Sequence, residues 1–214
     1  MYVVNTFSAA SIIFRQSDPR QLFVEMKDEG YPNPVFRNHI FLLGGAWEET
    51  DTGPRETLMR ELQEELIAPS DDEAMRAILK TMETVAVPYR DYIYTVPREV
   101  FTQLAADLNK NTWTELASFW LIALPEEPWN ELERLQKIHG NLSSESNTRL
   151  ISLSELIQPQ IKISWEMAIA LRNFFLEQGI EEAQNIKTMP GVLMEDMGRP
   201  KTTYREYKKD FMIQ

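Results

Sequence analysis

Along the first fifty residues, apolar positions come in short runs broken by turn-forming residues. Residues 8–15 (SAASIIFR) and 21–27 (QLFVEMK) read as two strands joined by a turn at Ser17-Asp18-Pro19. Residues 38–43 (NHIFLL) read as a third short strand that ends at Gly44-Gly45. The period then lengthens. Gly53-Pro54 opens a helix, with proline in the first turn, where its missing N–H does no harm. Leu58, Leu62 and Leu66 recur at every fourth position and give that helix an apolar stripe, and Pro69 stops it. Ser70-Asp71-Asp72-Glu73 has the form of a capping box and predicts a second helix over 71–82. Residues 83–96 and 116–124 read as strands, 127–138 as a polar helix opened by Pro128, and 149–152 as a further strand. Residues 164–179 (SWEMAIALRNFFLEQG) predict an amphipathic helix with a serine cap and a terminal glycine. Residues 181–214 have weak periodicity and are expected to form a tail, a docking arm or part of a dimer interface. Strands and helices mix without regular βαβ alternation, which predicts an α/β or α+β layered domain.

Composition narrows the function classes. A length of 214 residues suits one large domain, or one domain with an appendage. The pattern divides the chain into a domain at 1–180 and a C-terminal extension at 181–214. An apolar share of 43% is enough for a core. The net charge of -11 argues against coating a nucleic acid duplex, which needs clustered lysine and arginine. A polyanionic substrate is compatible with it only if metal ions or a local basic patch offset the repulsion. The absence of cysteine excludes disulfides, thiolate zinc sites and cysteine nucleophiles, and fits a reducing cytoplasm. His39 and His139 lie far apart in sequence, so a histidine-rich metal site is not expected. No apolar run approaches the roughly 18 residues of a membrane span, and the opening residues carry no basic segment of a signal peptide. A cytoplasmic protein without a membrane partner is the expectation.

The chemistry concentrates between Gly44 and Ser70. Glu48, Glu49, Asp51, Glu56, Glu61, Glu64 and Glu65 stand there against only Arg55 and Arg60. On a helix, residues three and four apart share a face, so Glu61, Glu64 and Glu65 form a compact triangle. Hard divalent cations such as Mg²⁺ or Mn²⁺ take oxygen ligands and relieve the repulsion of such a group. The same intervals also describe an exposed, salt-bridged helix face, and the helix alone leaves both readings open. The Gly-Gly turn ahead of the helix places backbone N–H groups where they can meet anions.

Arg60-Glu61-Leu62-Gln63-Glu64-Glu65 matches the core of the Nudix box, and Gly45 and Asp51 match its earlier part. Over residues 5–178 the order of elements also resembles the Nudix hydrolases, which implies an α/β/α sandwich with a mixed sheet. The box departs from the family pattern in four places. Eight residues separate Asp51 from Arg60 where the family has seven. The first acid is Asp51 rather than glutamate, Leu43 replaces the proline before Gly-Gly, and Ile67 replaces the glycine after the helix. The extra residue is expected to loop out around Thr52-Gly53, where glycine tolerates unusual dihedrals.

The resemblance implies a divalent-metal-dependent hydrolase that cleaves the diphosphate linkage of a nucleoside diphosphate derivative. Mg²⁺ or Mn²⁺ would neutralise phosphate oxygens and lower the pKa of a bound water. It implies Glu61, Glu64 and Glu65 as metal ligands and Arg60 as the group that orients a carboxylate by a charge-assisted hydrogen bond. It also implies Gly45 and Asp51 as cofactor-binding residues, with Gly45 shaping the loop and offering a backbone carbonyl to the metal. Glu145, in NLSSESNTRLISLSEL, stands as a further ligand or general base, or as a polar residue on a Ser/Asn loop. Glu48 and Glu49 are expected to face solvent. Tyr89, Tyr92, Phe119 and Trp120 either stack on a base or fill the core. Arg90 and Arg37 either contact phosphate or lie on the surface, and His39 is expected to be structural. The alternative is a non-catalytic Nudix-fold module that binds a nucleotide or regulates a partner. A diphosphate isomerase of the same fold is set aside because the family's isoprenoid isomerases use a cysteine. A purely structural acidic protein predicts no tight site for Mg²⁺ or Mn²⁺. The expected partner is a nucleotide-derived small molecule, and a homodimer is the default oligomer.

Overall fold

The computed structural model describes residues 2–31, 34–68, 71–97, 112–188 and 192–213. Its strands are β1 (Tyr2–Val4), β2 (Thr6–Arg15), β3 (Asp18–Lys27), β4 (His39–Phe41), β5 (Leu43–Ala46), β6 (Val87–Pro97), β7 (Thr112–Leu124), β8 (Asn147–Ser152), β9 (Lys162–Ile163), β10 (Leu193–Gly198) and β11 (Phe211–Ile213). Its α-helices are α1 (Pro54–Glu65), α2 (Asp72–Val85), α3 (Glu126–His139), α4 (Leu153–Leu156), α5 (Trp165–Glu177) and α6 (Tyr204–Asp210).

Among the described residues, nine strands form one mixed sheet in the order β10-β6-β7-β2-β3-β4-β9. Two more pairings complete it, β5 against β2 and β8 against β3. β2 is the spine. It runs parallel to β7, from Thr6 opposite Glu115 to Arg15 opposite Leu124. Its other edge is shared between β5, at Ser8–Ser11, and β3, at Ile13–Arg15.

Alternation along β2 sorts the layers. Ala9 and Ile13 face one side, where Leu58 and Leu62 of α1, Met75, Ile78 and Met82 of α2, and Trp129 of α3 close the core. Ala10 and Ile12 face the other side, packed with Phe119 of β7 and with Leu171 and Phe174 of α5. The result is the expected α/β/α sandwich with a mixed sheet.

Several boundaries differ from the sequence reading. The predicted strand over 83–96 begins only at Val87, because Met75, Ile78 and Met82 extend the buried stripe of α2 to Val85. α1 ends at Glu65, and both Pro69 and the Ser70 capping residue lie outside the described residues. Ser164 occupies the cap position of α5 without a side-chain cap hydrogen bond.

The C-terminal stretch, expected as a tail or interface arm, adds β10 antiparallel to the β6 edge. α6 opens with a capping box between Thr203 and Glu206. Tyr204, Tyr207 and Phe211 close a third apolar cluster with Phe7, Ile93 and Leu116. Beneath them lies a buried polar knot. Ser118 donates to one oxygen of Asp91 at 2.6 Å, and the Tyr207 hydroxyl donates to the other at 2.7 Å. The Lys201 backbone N–H donates to that hydroxyl at 2.7 Å.

Burial pushes the Asp91 carboxyl up to about 6, against 3.8 in an exposed chain, and the hydrogen bonds from Ser118 and Tyr207 only partly offset it. The folded chain therefore holds a proton at Asp91 that the unfolded chain has already released between those values. The stability this gives is complete below 3.8 and is lost as pH rises through about 6. The shift corresponds to ~3 kcal/mol. Asp91→Asn is expected to remove this component. Its stability relative to wild type should rise by up to ~3 kcal/mol between pH 4 and 7 in denaturant titrations. A constant difference across that range would place the charge of Asp91 in a better-solvated environment than the structure shows.

Candidate active site

β5 reads Leu43-Gly44-Gly45-Ala46, with Ser8 opposite Ala46 and Ala10 opposite Gly44. The Gly-Gly pair expected as a turn is thus part of a strand that runs beside α1. Each glycine has its own reason. Gly44 has a φ of 139°, and a Cβ there would meet the Ala9 carbonyl oxygen at 2.1 Å. A Cβ on Gly45 would lie 2.5 Å from the carboxylate of Glu61. Backbone packing demands the first glycine, and room for an acidic side chain demands the second.

Arg60 ties the site together. Its guanidinium donates to the Ala46 carbonyl at 2.8 Å, to Asp51 at 3.0 and 3.2 Å, to Glu61 at 2.9 Å and to Glu64 at 3.1 Å. Its pKa is raised, first by the hydrogen bond to Asp51. Burial opposes ionisation of Asp51, but hydrogen bonds from Arg60, the Glu48 N–H and the Thr57 hydroxyl outweigh it, so its pKa is lowered. Asp51 therefore anchors Arg60 from below and does not line the cavity.

The extra residue in the box does not force a strained loop. Gly53 has an extended φ of -169°, which any residue adopts. Glycine is needed there because a Cβ would meet the Thr202 carbonyl oxygen at 2.2 Å. The expected reason, an unusual dihedral, gives way to a close approach by the C-terminal segment. The missing glycine at Ile67 also has a local explanation. α1 leaves through Leu66 in an extended conformation, φ -85° and ψ 119°, so no left-handed residue is required. Leu66 bridges to Ser143, and the Ile67 N–H donates to the Leu142 carbonyl at 2.9 Å.

The same contacts staple the loop that carries Glu145 to the end of α1. Ser144 donates its N–H to the Glu65 carbonyl at 2.9 Å and its hydroxyl to the Glu64 carbonyl at 3.1 Å. Glu145 is exposed, lines the mouth of the cavity and lies close enough to Glu61 to raise its pKa.

The three helix carboxylates part company. Glu61 and Glu65 line a cavity of about 460 Å³. Glu64 is 58% exposed, bonded to Arg60 and not part of that wall. Among the described residues, no group of three or more His, Asp or Glu side chains is drawn together closely enough to hold a metal ion. Burial raises the pKa of Glu61, with Arg60 opposing. Burial also raises that of Glu65 well above the usual carboxylate range, reinforced by Glu25 and Glu61 and opposed by Lys27. The remaining support of Glu65 is one backbone N–H, from Gly44 at 3.3 Å.

Sequence reasoning missed part of this wall. Lys27 on β3 is buried, pairs with Glu25 at 2.8 Å and lines the cavity, with its ammonium 5.2 Å from the Tyr31 ring centre and 5.6 Å from that of Phe41. Glu25 in turn accepts from Ser143 at 3.1 Å and from Ser146. Glu25 and Lys27 sit two apart on a strand, so they share a face with the buried Phe23, and that pairing of charges on an inward face was the available signal. Glu115 lies on β7 in the same way, in line with Trp113, Ala117 and Phe119. Of the aromatic candidates, Phe119 lines the cavity, together with Tyr31, Phe36, Phe41, Tyr94 and Trp113. Tyr92 and Trp120 are core residues on opposite faces of the sheet, and Tyr89 packs against Phe174. Arg90 is tied to Glu177 and Asp196, and Arg37 donates to the Tyr31 carbonyl, so neither belongs to the cavity. His39 is buried beside the Arg37 carbonyl, with its pKa lowered by burial.

No family model matches the chain, and no curated protein matches it. Three of the solved structures that match the chain are the following. The E. coli dihydroneopterin triphosphate pyrophosphohydrolase is 15% identical over 83% of this chain and 99% of that one, with a TM-score of 0.46. A mutT/nudix family protein from Listeria innocua is 14% identical over 84% and 97%, with a TM-score of 0.49. The NUDIX domain of Shewanella oneidensis NrtR, complexed with ADP ribose, is 12% identical over 86% and 88%, with a TM-score of 0.42. Likeness at this level says nothing of chemistry, which rests on the residues of this chain.

The two glycines of β5 should separate in mutagenesis. Gly44→Ala sets a Cβ against backbone at a positive φ and is expected to cost ~2 kcal/mol or more in denaturant unfolding. Gly45→Ala meets only the end of a side chain, so stability should stay within about 1 kcal/mol while Glu61 is pushed aside. Equal losses would mean that Arg60 holds Glu61 too firmly to yield.

Proposed function

We propose that this chain is a Nudix-type hydrolase that uses divalent metal, Mg²⁺ or Mn²⁺, to cleave the diphosphate linkage of a nucleoside diphosphate derivative. The observation that carries the reading is the pair of a half-buried Glu61 and a buried Glu65, set beside Gly44 and Gly45 and lining an aromatic-walled cavity. That cavity sets four carboxylates, Glu61, Glu65, Glu115 and Glu145, against one ammonium, Lys27. A diphosphate cannot approach such a wall unless cations offset it.

The residues fit a hard cation. Glu61 and Glu65 are oxygen donors whose charged forms burial disfavours, and a divalent ion would restore them. Glu61 and Glu65 would hold the metal, with Glu145 reaching in from its loop and Glu64 within reach only by leaving Arg60. The metal would supply charge neutralisation and a more acidic bound water. The chain's own groups do the rest. Arg60 fixes the orientation of Glu61 through its bond to Asp51, and Lys27 offers an ammonium to a phosphate oxygen. The aromatic rings shield the base half of the ligand from water.

A second reading is a Nudix-fold module that binds a nucleotide without turning it over. The outward turn of Glu64 favours it, because the site then has one carboxylate fewer in place.

The deciding experiment is release of phosphate or nucleotide from a panel of nucleoside diphosphate derivatives with Mg²⁺ or Mn²⁺, for wild type and Glu65→Gln. Turnover is expected to fall about 100-fold or more in the variant. In the absence of metal, Glu65→Gln should unfold at the same or a higher temperature, since it removes a buried carboxyl whose charged form the site supports poorly. Undiminished turnover would remove α1 from the chemistry. Binding without turnover across the panel would establish the second reading.

A further inference from the structure

The wall opposite the acidic helix carries a carboxylate that phosphate chemistry does not need. Glu115 sits on β7 and lines the same cavity. The groups that hold it are neutral: the hydroxyls of Ser8 and Tyr94 and the indole N–H of Trp113, the last at 3.3 Å. No ammonium or guanidinium is among them. Burial therefore raises its pKa, and the three donors offset this only in part. Ser8, which supports Glu115, lies opposite Ala46, next to the glycine that accommodates Glu61. β5, β2 and β7 are successive neighbours here. Glu115 pairs with Thr6 and Gly45 with Ala9, so Glu115 lies two strands across and three residues along from the Glu61 edge, roughly 14 Å away. That leaves room for a sugar between a ring bound at one end and phosphates at the other.

Trp113, Phe119 and Tyr94 flank Glu115 with flat apolar surface. Burial alone favours the neutral carboxyl, and a ligand that brings two N–H donors favours the ionised form, whose two oxygens accept a parallel pair. Among nucleobases, guanine presents such a pair, its ring N1–H and its 2-amino group. Adenine and cytosine present an acceptor beside an amino donor, and uracil a single N–H between two acceptors. The three neutral partners of Glu115 can give way to such a pair, since two of them are hydroxyls whose hydrogens rotate.

We propose that Glu115 selects ligands with a 2-amino-4-oxopyrimidine edge, as in guanine, so that the preferred substrates of this site are guanosine diphosphate derivatives. The inference deepens the proposed function and rests on it for the diphosphate half of the ligand. The same edge occurs in pterins, so both sources enter the test.

The experiment is calorimetric titration of the whole chain with guanosine, adenosine and a neutral pterin, none of which carries phosphate, for wild type and Glu115→Gln. Binding of these compounds requires neither metal nor hydrolysis, so the base pocket is tested apart from the catalytic reading. Wild type is expected to favour guanosine over adenosine by about tenfold or more. Glutamine offers one acceptor and one donor, the match for adenine, so Glu115→Gln should reverse the order. Glu115→Ala should abolish the preference without creating the reverse one, which a merely structural role for Glu115 would not produce. Guanosine or the pterin leading in wild type, with loss of that lead in Glu115→Gln, supports the proposal and names the source. Equal binding of guanosine and adenosine, or a guanosine preference that survives Glu115→Gln, overturns it. A guanosine preference with no turnover of any diphosphate derivative would leave the inference standing and overturn the hydrolase reading.

Discussion

The guanidinium of Arg60 is the fastening on which the site depends. It joins the β5 carbonyl at Ala46, the loop residue Asp51, and the two α1 carboxylates Glu61 and Glu64. A planar fork with five donors can serve all of these at once, which a lysine ammonium cannot. The group is only 19% exposed, so its bonds to Asp51 are shielded from solvent. The network continues past Asp51. Thr57 donates to the Asp51 carboxylate at 2.8 Å and shares a hydrogen bond with the Tyr204 hydroxyl. The entry to α1 is thereby fixed from two sides, by its own loop and by α6.

This fastening explains how the carboxylates of one helix turn come to differ. Arg60 draws Glu64 outward and steadies Glu61, while Glu65, one turn beyond, receives no cation except the distant pull of Lys27. Three acids that look equivalent in sequence therefore occupy three electrostatic environments. The cavity inherits two carboxyl groups beside the glycine strand, and a third at Glu115, whose charged forms burial disfavours. All three are costly to an empty site, and all three acquire a purpose once a ligand with matching charge and donors is considered.

Much of the fold was legible because period and burial agree. The Leu58–Leu62–Leu66 stripe and the SAASIIFR strand face the core as their spacing predicts. The limits of legibility are physical. The strand reading of 83–85 failed because the β-branched and apolar residues there also continue a helical stripe whose partners lie in another element. The glycines of β5 looked like a turn, since nothing local reveals that Glu61, sixteen residues on, needs the space above Gly45. Gly53 looked like a strained hinge, since the carbonyl that crowds it belongs to Thr202. The motif that resembles the Nudix box was readable as a pattern. Its sorting into cavity-facing and solvent-facing acids was not, because Arg60 decides it in three dimensions. Lys27 and Glu115 were overlooked for a different reason, since each lies on a strand with an inward apolar face and belongs to no contiguous motif.

The parallel seam between β2 and β7 has a kinetic meaning. Asn5 and Thr114 close it with paired hydrogen bonds across 109 positions of chain. Such a pairing cannot nucleate locally; it waits for the loop entropy of everything between to be overcome. β5, α1 and the turns around them can assemble earlier from near neighbours, so the acidic helix can form before the wall that faces it. Until the seam zips, the ring-lined half of the cavity does not exist. A nascent or partly unfolded molecule would then display the carboxylates of α1 with no ring-lined wall to face them.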